Sequence, residues 1–398
     1  MQRTIRITRC RLCNSKDLKK TFSLGNLCIN DFIKKGAKVK KAPLTMVLCK
    51  GCQLAQLQHS APQEIMYARH YWYKSGISEV IKDDLAEIAR KGIMLAEART
   101  GDIFLDIGAN DGTLLSNVPE DMIAIGCEPA DNLKYELAKE ADFVIDEFWA
   151  YKHYRLISKM FLQDKRAKVI TAIGMFYDTD DPNQFIKDVA KSLDKEGVFI
   201  AQLMTLAPML QKNDISNICH EHLEYYSYKN LVRLFEKNGL EIFKVEENGI
   251  NGGSYRLFAR HLDGGSIAYP EPDLDLKSFE ERFQANAMKT VEFIEREVKK
   301  GKKVYGYGAS TKGNTILQYY GLNSKLITGI ADRNNEKWGK FTVGTNIPIV
   351  SEERARVEAD YFFVLPYAFL KTFYDREHMW RKGGGQFIVS IPEFKIIK

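Results

Sequence analysis

From residue 67 to residue 268, short apolar runs alternate with stretches of helical spacing, the pattern of strands and covering helices in a parallel α/β sheet. Two of the runs, Ile103–Ile107 and Met122–Cys127, read as strands, and a glycine turn and a helix are expected after the first. Residues 1–66 have little sustained periodicity and read as a small loop-rich unit. The prolines of Tyr269-Pro270-Glu271-Pro272 cannot continue a helix and mark a break. Beyond them Phe279, Phe283, Met288, Val291 and Ile294 recur at helical spacing and predict a charged helix from about Leu276 to Lys300. A second α/β pattern begins at Lys303, with further strands expected at Leu326–Ala331 and, last, at Phe387–Ile391. The expected fold class is therefore α/β, in three domains. A small domain occupies 1–66, a central Rossmann-like sheet 67–268, and a second Rossmann-like domain 269–398.

Composition narrows the function. The 398 residues are 45% hydrophobic, 28% charged and 11% aromatic, which is ordinary for a folded protein and excludes disorder as the main state. No apolar run approaches the ~20 residues that span a bilayer, so no membrane partner is expected. The opening MQRTIRITRC has neither an apolar core nor a small-residue cleavage site, which points to the cytoplasm and to reduced cysteines. The net charge of +6 is small and its lysines are dispersed, so nucleic acid is not an expected partner. A small anionic ligand such as a diphosphate is compatible, and a monomer or weak oligomer is expected.

Four of the seven cysteines form two C-x-x-C units, Cys10-Arg11-Leu12-Cys13 and Cys49-Lys50-Gly51-Cys52. Each unit can set two thiolates ~2.3 Å from one ion, and two units complete a zinc tetrahedron. Gly51 is expected to permit the tight turn that aims sulfur inward. With all four ligands from protein, the zinc is structural. Four thiolates and one zinc ion add −4 and +2, which lowers the formal charge from +6 to +4.

The turn Asp106-Ile107-Gly108-Ala109-Asn110-Asp111-Gly112 is not G-x-G-x-x-G, and it carries two acids. Carboxylates beside a pyrophosphate repel it, by several kcal/mol per close pair at an effective dielectric of ~20. A cationic sulfonium with an amino-acid tail fits better. Glu128 follows the next strand, where an acid can accept both ribose hydroxyls. The expected cofactor is S-adenosylmethionine (SAM), held by Asp106, Gly108, Asn110, Asp111, Glu128, Pro129 and Gly174.

In the C-terminal part, Tyr305-Gly306-Tyr307-Gly308 runs into Ala309-Ser310-Thr311-Lys312-Gly313-Asn314, which opens a helix. Backbone N–H groups there can meet an anion, with Ser310, Thr311 and Lys312 assisting. A nucleotide-sugar diphosphate is the preferred ligand, with Tyr307, Gly308 and Asn314 in the same set and Asp332 placed to bind a hydroxyl. The spacing departs from the NAD fingerprint, so an oxidoreductase is the lesser reading.

Taken in order, the C-x-x-C pair, the Leu105-Asp106-Ile107-Gly108 turn, Ile218-Cys219-His220-Glu221-His222, Asn251-Gly252-Gly253-Ser254 and Tyr307-Gly308-Ala309-Ser310-Thr311-Lys312-Gly313-Asn314 resemble one family along nearly the whole chain. It is the three-domain nucleotide-sugar C-methyltransferases of deoxysugar biosynthesis. The resemblance implies a zinc domain, a methyltransferase domain and a C-terminal domain that helps hold a nucleotide-linked keto-deoxysugar. It implies proton removal beside a 4-keto group, then methyl transfer to that carbon. It places Glu221 and His222 in the active site with His222 as base, and Tyr71 and Tyr73 as donors to the oxyanion. Tyr225 is expected on the substrate and His220 as the alternative base. Two departures stand out: Cys219-His220 replaces the family's Tyr-Asp, and Gly174 stands near the family's asparagine. The rival readings are oxygen or nitrogen methylation of a small metabolite, and a zinc-containing binding module without catalysis.

Overall fold

The computed structural model describes residues 3–29, 31–68 and 70–398. Its largest sheet has seven strands, ordered Leu240–Asn248, Ser254–His261, Leu193–Met204, Ala167–Ile173, Ile103–Ile107, Ile123–Cys127 and Phe143–Ile145. Five of them run parallel, and a hairpin adds two antiparallel strands at one edge. The central strands are near-continuous apolar runs because helices cover both faces. The expected helix after the first strand is absent. Only a single 3₁₀ turn, Leu115–Asn117, forms there, because Pro119 follows Gly112 too closely for a longer helix to develop.

A second parallel sheet is ordered Ile349–Ser351, Ile330–Asp332, Val304–Tyr307, Tyr361–Val364 and Gln386–Val389, with Lys395–Ile397 added antiparallel. The strand expected over Leu326–Ala331 thus starts late, at Ile330; Leu326 and Ile327 still turn back on the Asn323 carbonyl. Gln386–Val389 is not the last strand, since the chain returns once more. The charged helix runs Leu276–Lys299, capped by Asp275, whose carboxylate accepts the Lys277 and Ser278 N–H groups. Its inner face is Phe279, Phe283, Asn286, Thr290 and Ile294, and Met288 is exposed. Asn286 is tolerated inside because its amide donates to the Ser390 and Pro392 carbonyls.

The N-terminal sheet joins Leu18–Cys28, Lys41–Cys49 and Ala55–Leu57, and its fourth strand comes from far along the chain, Glu224–Tyr225. A further pairing, Phe341–Thr342 on Phe32–Ile33, ties it to the C-terminal part. Both cysteine knuckles close the same way: the Asn14 N–H donates to the Cys10 carbonyl and the Gln53 N–H to the Cys49 carbonyl, each at 2.9 Å. The left-handed residues are Asn14 (φ 64°) and Gln53 (φ 59°), so the tight turn does not depend on Gly51.

The four cysteine sulfurs lie within 4.8 Å of one another, with Cys10–Cys52 at 3.6 Å and Cys13–Cys49 at 3.5 Å. A tetrahedron with arms of ~2.3 Å has edges of about 3.8 Å, so the donor set fits zinc. Among the described residues no helix is long and apolar enough to cross a membrane. Purified protein should contain about one zinc per chain, and Cys49→Ser should lose both metal and soluble yield, because metal binding is folding energy in such a unit. Elemental analysis of well-folded protein decides it, and an absence of metal would sink the assignment.

Candidate active site

The C-terminal ends of the central parallel strands open into a cavity of about 650 Å³, and the turn at Gly308 and the start of helix Thr311–Tyr319 form its opposite wall. Asp106 sits on the first strand with its carboxylate accepting the Thr171 hydroxyl at 2.6 Å, and burial pushes its pKa up to about 7. Gly108 has φ +77°, and a Cβ there would lie 2.7 Å from Met175, so only glycine fits. Glu128 is held by two backbone donors, the Asn110 N–H at 3.0 Å and the Ala130 N–H at 2.9 Å. Each of its oxygens keeps a lone pair for a ligand. Pro129 and Gly174 complete this end of the cavity.

The segment Tyr71–Gly76 is fixed by Asp111, by the side chain of Asn110, which also lines the cavity, and by Asn132. Asp111, expected to meet the cofactor, does not line the cavity; it accepts the Gly76 N–H at 2.9 Å and the Thr113 hydroxyl. The Asn110 side chain accepts the Ser75 N–H and donates to the Tyr73 carbonyl. Asn132 holds both backbone groups of Tyr71, at 2.8 and 3.0 Å. Tyr71 and Tyr73 thereby line the cavity. Burial raises the phenol pKa of each.

Cys219 to His222 form a tight turn, with the His222 N–H donating back to the Cys219 carbonyl, so the two imidazoles diverge. His222 faces the cavity. Its Nδ1 lies 2.8 Å from the Asn217 carbonyl, which can only accept, so Nδ1 carries the proton and Nε2 the lone pair. Burial, reinforced by the nearby Lys312 charge, pulls its pKa down to about 3. The imidazole is therefore neutral across the physiological range. His220 points the other way, with Nε2 at 2.9 Å from the Ala42 carbonyl of the N-terminal sheet. Glu221 lines the cavity beside His222.

Tyr225, expected on the substrate, lies outside the cavity and donates to the Asn217 and His222 carbonyls, each at 3.2 Å. Gly308, Ser310, Thr311 and Lys312 line it. Tyr307 does not: it is buried against Glu377 and Arg376. Asn314 donates to the Asp31 carbonyl and also lies outside. Asp332 lines the cavity and braces the Gly308 turn, its two oxygens each accepting one backbone N–H, from Ala309 at 2.6 Å and Asn334 at 2.8 Å.

Four contributors went unread in the sequence. Tyr67 donates to the Glu221 carbonyl at 2.9 Å, and the Tyr177 ring stands 4.6 Å from the His222 ring. Asp178 lines the cavity and is pushed well above the usual carboxylate range by burial and then by Glu221 and Glu224. Asn217 holds His222 through its backbone and Lys312 through its side chain. Only the tyrosine run 67, 71, 73 offered a signal; Asn217 carries none, since a backbone carbonyl leaves no mark in a sequence.

Two α/β sheets facing one cavity, with an acid-bearing glycine turn on the first, fit a SAM-dependent methyltransferase. Three family models match in succession: a zinc binding domain over residues 10–67, a methyltransferase domain over 73–245 and a C-methyltransferase C-terminal domain over 272–392. Together the three matches follow one another along the chain from residue 10 to residue 392. It is similar to the C-methyltransferase NovU of Streptomyces niveus, at 26% identity over 424 aligned positions, covering 100% of this chain and 99% of that one. Solved structures are similar over less. A SAM-dependent methyltransferase from Clostridium acetobutylicum matches 46% of this chain and 92% of its own, at 11% identity and TM-score 0.35. The mitomycin 7-O-methyltransferase MmcR matches 47% and 55%, at 15% identity and TM-score 0.34.

The divergent histidines give a test in stability. Burial lowers the His220 pKa to about 4, from an ordinary 6.5. The folded state therefore binds fewer protons than the unfolded one between those values, and stability is lost as pH falls through that window. His220→Gln removes this contribution. Between pH 7 and pH 5 the wild type should lose about 2 kcal/mol more than the variant, read from urea midpoints at each pH. Parallel losses would place His220 in solvent.

Proposed function

We propose that this enzyme methylates the carbon beside the keto group of a nucleotide-diphosphate-linked deoxysugar, with His222 as the base. The observation that carries the reading is the neutral imidazole in the cavity wall, its tautomer set by the Asn217 carbonyl. A carbon acceptor must lose its C–H proton before or during methyl transfer, and an oriented base in the cavity wall can take it. Bound SAM supplies an electrophilic methyl group, and Asp106, Gly108, Asn110, Glu128 and Pro129 are the residues that would hold it. Tyr71 and Tyr73 offer phenol donors on the same side of the cavity as the glycine turn. Exposed Arg333 and the N-terminus of helix Thr311–Tyr319 give the opposite mouth a positive character suited to a diphosphate. The division of labour follows residues 1–66, 67–268 and 269–398: zinc, methyl donor and sugar nucleotide.

Two variants test the parts separately. Asp106→Ala should weaken SAM binding, measured by calorimetry, while leaving the thermal melt close to wild type; unchanged affinity would remove Asp106 from the cofactor site. His222→Asn should lower turnover by about 10²–10⁴, the usual range for general base action, with SAM affinity retained. In heavy water with S-adenosylhomocysteine, wild-type enzyme should place deuterium beside the substrate carbonyl and the Asn variant should not. A methyl found on oxygen or nitrogen of the product would overturn the reading.

A further inference from the structure

Lys312 starts the helix of the C-terminal domain that faces the expected diphosphate, yet its ammonium leaves that helix and enters the centre of the central domain. Nζ donates to Asn217 Oδ1 at 3.2 Å and lies 2.8 Å from the Met204 sulfur. Met204 ends a strand of the central sheet, and both it and Lys312 line the cavity. Asn217 is the residue whose backbone carbonyl fixes His222. One residue thus holds the base by its carbonyl and the cation by its amide, which sets their spacing. We propose that Lys312 is a catalytic residue that binds the oxygen of the substrate's keto group and stabilises the enolate; this rests on the C-methylation reading above.

The chemistry calls for such a group. When His222 removes the proton, the C–H bond breaks, Nε2–H forms, and the C–H electron pair becomes the C=C bond. The carbonyl π pair then moves onto oxygen as negative charge. An ammonium has three N–H donors, of which Asn217 takes one and the weakly accepting Met204 sulfur another, so one remains for that oxygen. Lys312 keeps its proton throughout. Burial lowers the Lys312 pKa, and Asp214, Cys219, Glu221 and Asp178 oppose that shift. The ammonium charge disfavours protonation of His222 before substrate binds, a penalty that falls once the developing enolate oxygen offsets the ammonium. A diphosphate anchor would need none of this, and would leave Nζ at the helix mouth beside Ser310 and Thr311.

The test uses the full zinc-loaded chain, thymidine-diphosphate-4-keto-6-deoxyglucose as probe, and S-adenosylhomocysteine in heavy water. Lys312→Met should slow deuterium uptake beside the carbonyl by about 10²–10³, the usual loss for one oxyanion donor. Calorimetric affinities for thymidine diphosphate and for S-adenosylhomocysteine should stay within about threefold. Lys312→Arg, which keeps the charge, should recover part of the rate. If the Met variant melts early, Lys312→Gln carries the same comparison. Exchange in the Met or Gln variant within about threefold of wild type would overturn the assignment, as would a collapse of thymidine diphosphate affinity with exchange intact at saturation, which marks a diphosphate anchor. No exchange in the wild type, with methyl found on oxygen or nitrogen of the product, would overturn the C-methylation reading and this role with it.

Discussion

The active site depends on a strand of two residues. Glu224 and Tyr225 pair with Gln56 and Ala55, so the chain just after His222 completes the sheet that the cysteine knuckles close. The Leu57 N–H extends the contact by donating to the Leu223 carbonyl at 2.8 Å, and the Leu223 N–H donates to Tyr177. Beneath the pairing lies Arg11, inside the first knuckle, at 3.4 Å from the Glu224 carboxylate, with the two side chains only 3% and 0% exposed. Burial pushes the Glu224 pKa well above the usual carboxylate range and the Arg11 charge opposes that shift. Arg11 is further fixed by the Leu57 carbonyl and the Ser60 hydroxyl, and the Gln56 amide donates to the Cys10 sulfur. A metal that orders the knuckle therefore also orders the loop that presents the base.

The segment Tyr71–Gly76 performs the same service for the three sheets together. Trp72 donates to the Asp31 carboxylate at 2.7 Å, Asn110 and Asn132 clamp the segment's backbone from the central domain, and Lys74 meets Glu336, in the 3₁₀ turn Asn335–Lys337 of the C-terminal part, at 3.1 Å. The last of these is a partly exposed ion pair and contributes little by itself. The buried amide clamps matter more, since an unmade hydrogen bond on a buried backbone group costs about 1–3 kcal/mol. Across the molecule, Gln318 seals the N-terminal sheet to the C-terminal domain by accepting the Cys28 N–H and donating to its carbonyl. With the walls tied at several points, the cavity is an interface made rigid rather than a cleft within one domain.

What could be read from the sequence was local chemistry with a fixed spacing. The C-x-x-C units, the strand Ile103–Ile107 with its glycine turn, and Ser310 as the start of a helix all depend on neighbours within a few residues. The destination of a long or polar side chain was not legible, because it is set by residues 95 to 283 positions away. Asn314 meets Asp31, His220 meets Ala42, and Lys312 reaches Asn217. The acids of the first turn show the limit most plainly. Asp106 and Asp111 look equivalent in the sequence, yet only Asp106 faces the cavity, because Asp111 is spent on the Gly76 and Thr113 donors.

Cys219-His220, where the resembling sequences carry Tyr-Asp, has a physical sense in the turn. His220 is the second residue of the turn, and its imidazole replaces a solvent-seeking acid with a group that can be buried neutral against Ala42. A carboxylate at the same place would face the Ala42 carbonyl with no proton to offer, and burial would then penalise its charge. The turn is thereby anchored to the N-terminal sheet from its outer side and to Asn217 from its inner side. Both anchors are backbone carbonyls accepting from neutral imidazoles, so neither introduces a charge beside the cavity. The cation that does reach the site is the ammonium of Lys312, and burial together with it keeps His222 neutral before substrate binds.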